Sequence, residues 1–172
     1  MSVGMLHVHN ILRWVVLIAG LIAVVRAVAA SSTAKPYSKM PGLIFLGSLH
    51  LQVILGLILY FGISGITQAF LSDPGASMKN PMLRFYGVEH LVGMLVAAIV
   101  ATIGSARTRR AADDAKKNKT AAIFFGIALL LILASIPWPF RGEGVGRGLF
   151  PGGSNIGTPP PMPSEAPPLP VG

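Results

Sequence analysis

An all-α, integral-membrane four-helix up-and-down bundle with a Pro/Gly-rich C-terminal tail is the predicted fold. Three observations predict it. The 172 residues are 52% hydrophobic and only 12% charged, and their mean hydropathy is +0.66. A soluble domain carries about twice that charged fraction. Four separate stretches are apolar over the roughly 20 residues that a bilayer span requires. The connections between them are short, which makes sequence neighbours antiparallel neighbours in space.

The first span is predicted over 6–29, "LHVHNILRWVVLIAGLIAVVRAVA". A cleavable leader competes for this stretch, because "AVAAS" follows an apolar run. Arg26 interrupts the approach to that cleavage site, and two histidines replace the usual basic start. The second span is predicted over 42–63 and the third over 82–104, with Pro81 placed to open it. The fourth is predicted over 120–140; the two prolines of "IPWPF" end it, and Trp138 suits an interfacial anchor. Residues 1–141 thus form one bundle. Residues 142–172 are Gly- and Pro-rich and nearly uncharged, so they cannot build a core. Two readings of the tail stay open: a disordered or extended segment, and a strap along a partner subunit.

Formal net charge is +8. Arg26, Lys35 and Lys39 flank the first connection, and Arg107, Arg109, Arg110, Lys116, Lys117 and Lys119 crowd the third. The opposite side holds Arg13, Lys79, Arg84, Arg141 and Arg147. The larger basic excess predicts cytoplasmic first and third connections, with both termini periplasmic. In such a protein the charge meets anionic lipid, and no nucleic-acid motif is present. The chain has no cysteine, which excludes disulfides, thiolate metal sites, iron–sulfur clusters and covalent c-type haem.

Ionisable groups within spans are costly and mark function by default. His7, His9, His50 and His90 all lie in or at the ends of predicted spans. Imidazoles from two helices can clamp one haem iron, and that demands similar depth. At 1.5 Å rise per residue, His9 lies roughly 10 Å and His90 roughly 5 Å to the outer side of their midpoints, and His50 roughly 5 Å to the inner side. The preferred axial pair is therefore His9 with His90, then His50 with His90. Tyr86, His90, Gly93 and Ala97 share a helical face, and the two small residues would admit a flat macrocycle. Gly47 stands one turn before His50. Arg13 and Arg84 are candidate partners for haem propionates, with Arg141 at the same end. Competing readings remain: small residues as helix contacts, histidines bonded across helices, Glu89 as the counter-ion of Arg13 or Arg84, and His7 as an interfacial residue. Gln52 and Tyr60, on one face through Gly56, suit a quinone or a neighbouring helix equally.

"LHVHNILRWVVLIAGLIAVV", "HLQVILGLILYF", "MLRFYGVEHLVGM" and "IPWPF" resemble stretches of small bacterial four-span proteins labelled cytochrome-b-like. The resemblance covers about 5–141 and omits the tail. It implies a bundle in a bacterial inner membrane that binds haem b, with His9, His50 and His90 inside the matching stretches. The leading expectation is a haem-b-binding or haem-protein-derived membrane protein in electron transfer, as a subunit of a respiratory or photosynthetic complex, with quinone as its natural small partner. The alternative is a cofactor-free accessory subunit packed against other membrane subunits. A metal or proton transporter using the histidines and Glu89 is a third class. No catalytic triad, paired carboxylates or phosphate loop is present, so no reaction is assigned.

Overall fold

The computed structural model describes residues 2–33 and 35–151. Helix α1 spans Ser2–Ser32. Helix α2 spans Lys39–Ile58 and continues as a π-helical turn, Leu59–Ile63. Two short helices follow, α3 (Gly65–Ser72) and α4 (Pro74–Ser77). The third rod is built from α5 (Pro81–Arg84), a second π turn (Phe85–Glu89) and α6 (His90–Arg110). Helix α7 covers Asp114–Ser135. Among the described residues there are no strands.

Four helices are long and apolar enough to cross a membrane: Gly4–Ser32, Lys39–Ile63, Pro81–Arg110 and Asp114–Ser135. They form a ring in which α1 packs on α2 and α7, and α6 packs on α7 and α2. The centre is narrow. Phe45 and Phe125 meet edge to face, with centroids 5.6 Å apart, beside Val16, Leu49, Ala97, Ala101 and Ile132. The outward faces are the reverse of a soluble protein's. Leu21, Ile54, Ile99 and Leu130 are each more than half exposed, as a hydrocarbon-facing belt requires. In lipid, helix association depends on close packing of small residues. Gly104 supplies it on α6, where an added Cβ would collide with Phe124 of α7.

Several boundaries differ from expectation. The basic connection "SARTRRAADDAKKNK" is mostly helical, and only 111–113 link α6 to α7. It contains good helix formers and neither Gly nor Pro, and the Asp113 carboxylate caps α7 by accepting from Lys116 N–H at 2.7 Å. The fourth helix stops at Ser135 rather than 140. Ile136 precedes Pro137 and is extended, at φ −71° and ψ 136°, because a residue before proline is driven out of the helical region. Turn signals expected in 64–81 instead cap short helices: Asp73 accepts from Ala76 N–H, and Asn80 accepts from Leu83 N–H. The two π turns had no sequence signal.

The start of the tail also departs from a free segment. Residues 142–151 fold back on the bundle end that carries the N-terminus. Arg147 N–H donates to Pro137 O at 3.0 Å, and Gly146 N–H to Arg141 O. Leu149 O accepts from Arg13 Nη2 at 2.7 Å and from Trp14 Nε1 at 2.9 Å. Phe150 stacks on Trp14, centroids 5.7 Å apart. This strap lies on its own chain; the expectation for 152–172 falls outside the described residues.

Candidate functional site at the strap end

Beneath the strap lies a cavity of about 220 Å³ between all four rods. Each helix contributes one face. On α1, His9, Arg13 and Val16 recur at helical spacing; on α2, Gln52, Gly56 and Tyr60 do so. Tyr86, His90 and Met94 come from the third rod, Ile132 from α7 and Ile136 from just beyond its end, and Arg147 and Phe150 from the strap.

Both π turns border this cavity. A π turn inserts one extra residue per turn and is frequent at functional sites. The first places Tyr60, whose hydroxyl donates to Gly87 O in the second at 2.8 Å. Carbonyls freed by the first turn are met from α3: Thr67 Oγ1 donates to Tyr60 O at 2.7 Å, and Gln68 Nε2 to Phe61 O at 2.9 Å. The second precedes His90 and holds Tyr86, whose hydroxyl donates to Val145 O of the strap at 2.6 Å.

The His9 and His90 rings face one another with centroids 6.4 Å apart and planes at 75°. His90 Nδ1 lies 2.7 Å from Ser135 O. A carbonyl only accepts, so Nδ1 carries the hydrogen and Nε2 keeps its lone pair, the arrangement typical of a metal-binding histidine. His9 packs against bare backbone at Gly56, where a Cβ would stand 3.3 Å from its Cε1. The Gln52 amide donates to His9 O at 3.0 Å and to His9 Nε2 at 3.2 Å. His9 Nδ1 then bears the hydrogen and has no acceptor.

That unpartnered atom has company. Among the described residues, five of the six buried side-chain polar atoms without a hydrogen-bond partner border this cavity: His7 Nε2, His9 Nδ1, Asn10 Oδ1, Arg13 Nε and Gln52 Oε1. Buried polar groups are almost always paired, so such a cluster calls for an occupant. Charge points the same way. Arg13 is 7% exposed and has no carboxylate partner among the described residues. Arg147 faces the same space, met by the carbonyls of Gly144, Val145 and Gly146, by Met82 Sδ and by the Tyr86 ring, with no carboxylate among the described residues. Two cations with no anion make a site for an anionic group.

Other expected site residues lie elsewhere. His50 is exposed, and its Nε2 sits 3.0 Å from Thr102 Oγ1. That hydroxyl already donates to Ala98 O, so His50 Nε2–H is the donor, on a face away from the cavity. Arg84 pairs with Glu89 at 2.8 Å on an exposed surface; Glu89 is its counter-ion, and neither lines the cavity. Arg141 is engaged by Ile136 O and Ala134 O at the end of α7. Gly93 and Ala97 do not admit a macrocycle. A Cβ at Gly93 would strike Ser135, and Ala97 is fully buried, so both serve helix contact. Gly47 has nothing packed on it. Arg147, Asn10 and Phe150 were missed, the first and last because the strap expected of the tail was placed on a partner subunit rather than on this chain's own bundle.

Comparison with protein-family models, curated proteins and solved structures returns no match. The geometry of the site therefore carries the functional reading.

Proposed function

We propose that the protein is a membrane electron carrier that holds one b-type haem between His9 and His90. One observation carries the reading: two imidazoles 6.4 Å apart, below two cations that lack an anion. His9 and His90 would supply the two imidazole nitrogens that hold the iron. His90 is held for ligation by Ser135 O. His9 Nε2 becomes available by giving up the 3.2 Å contact from Gln52, a loss of about 1 kcal/mol. Arg13 and Arg147 suit the two propionates. When bound, the haem supplies reversible one-electron chemistry. The chain's own part is to supply both ligands, balance charge and exclude water with Phe150, Trp14 and the strap. The basic end then faces the bacterial cytoplasm, and both termini face the periplasm.

A second reading rests on the cavity's size. At about 220 Å³ it is smaller than the roughly 300–1,000 Å³ of ordinary cofactor pockets. A macrocycle needs the strap side chains drawn back. A quinone head needs less room, with His9 Nδ1 and Arg13 Nε, both without an acceptor, free to donate to its carbonyls. The reduced-minus-oxidised spectrum of the purified full chain separates these readings. Sharp Soret and alpha bands are expected for haem. Protein absorbance with stoichiometric extractable quinone supports the second reading, and protein absorbance with neither leaves a cofactor-free subunit.

A further inference from the structure

The opposite end of the bundle has a second cavity, of about 270 Å³, between α1, α2 and α7. Its wall is apolar and smooth: Ala23, Ala27, Ala121 and Phe125 line it. Its rim is cationic, with Arg26 from α1 and Lys35 from the first connection. Neither has a carboxylate partner among the described residues, since Asp113 and Asp114 pair with Lys116 and Lys117. Lys35 is not loosely placed. Asn118, 1% exposed, donates through Nδ2 to Lys35 O at 2.9 Å and pins the connection to α7. Tyr37 adds a hydroxyl at the rim. Burial pushes its phenol above the ordinary range, against the opposing pull of Arg109, so it stays a neutral donor.

Position matters as much as charge. Arg26 stands six residues before the last residue of α1, roughly 9 Å along the axis. An arginine at that depth reaches the headgroup level by extending its side chain toward the helix end. Hydrocarbon wall, cationic rim and neutral hydroxyl match one class of molecule, a lipid with an acyl chain and a negatively charged headgroup.

We propose that this cavity is a binding site for an anionic phospholipid of the surrounding leaflet, its phosphate between Arg26 and Lys35 and one acyl chain along the alanine wall. The site is independent of the strap-end cavity. It ties α1, α2 and α7 together where Lys39, Arg107, Arg109 and Arg110 leave the largest unbalanced charge.

The test is native mass spectrometry of the delipidated full chain, after incubation with phosphatidylglycerol or phosphatidylcholine of matched acyl chains. Each cation near a membrane surface favours anionic lipid about fivefold, so two predict roughly a 30-fold preference for phosphatidylglycerol. The pair Arg26→Gln with Lys35→Gln should remove most of it. Lys116→Gln with Lys117→Gln, at the same end but off the cavity, should not. Equal retention of the two lipids overturns the proposal, as does equal loss in both double variants. If the first double variant does not fold, the wild-type lipid comparison alone decides.

Discussion

Arg13 is the residue whose surroundings say most about the site. A buried guanidinium costs several kcal/mol unless paired and hydrogen-bonded, and here only Nη2 has a partner, Leu149 O, while Nε has none. An anionic ligand removes that cost. Arg13→Gln is therefore expected to weaken retention of an anionic haem by roughly tenfold or more, a charge-assisted hydrogen bond being worth about 1.5–3 kcal/mol. Pigment remaining per protein after dialysis against apomyoglobin measures it. Gln52→Leu tests the opposite contact. It frees His9 Nε2 and should leave the pigment bound; loss of pigment would mean that the amide holds His9 in register. Much of this residue-level site was legible. His9 and His90 stood at similar depth by helical rise alone, and the structure brings their rings together. His50, two residues from Gln52, was indistinguishable by composition. Depth alone ranked it second; its orientation toward Thr102 takes it off the cavity, and that depends on how α2 rotates against α6.

At the scale of elements, the rods and their polarity could be read from apolar length and proline, because a span must satisfy its backbone internally whatever its neighbours do. The π turns could not. Leu59–Ile63 and Phe85–Glu89 look like ordinary helix in "LYFGI" and "FYGVE", and the extra residue is stabilised by distant partners such as Thr67 and Tyr60. The helical continuation through Arg110 and from Asp114 was obscured by charge, since a basic run is solvated whether helical or not. Two element-level predictions follow from the packing. Gly104→Ala places a methyl against Phe124 and should cost about 1–3 kcal/mol, seen as a lower Tm in detergent without loss of pigment. Asn80→Ala removes the cap on Leu83 N–H and should cost about 0.5–2 kcal/mol. Because α5 leads directly into the turn that carries Tyr86, that variant should also loosen the strap-end site, read as faster pigment loss.

Across the whole molecule, the two ends are closed in different ways. The basic end is closed by a three-residue link and a pinned connection, Lys35 to Asn118. The other end is closed by two short helices and by a strap that reaches from Ile136 back to Trp14. Composition marked 142–172 as unable to form a core, which is true of the segment alone. It gave no hint that Leu149 O and Phe150 would be received by Arg13 and Trp14 on α1, 135 or more residues away. Ending the chain after Arg141 should leave the four rods assembled, expose Trp14 to aqueous quenchers and speed ligand exchange; an unchanged quenching constant would mean the strap does not cover the site in solution. One occupant shared by His9 and His90 is the central proposal. Replacing His9, His90 and His50 singly by Ala in the full chain, and measuring haem per polypeptide with the low-spin alpha band of each, tests it most directly. Loss of the low-spin band is expected in the first two, and wild-type pigment in the third. Low-spin haem that survives loss of His90, or disappears with His50, contradicts it.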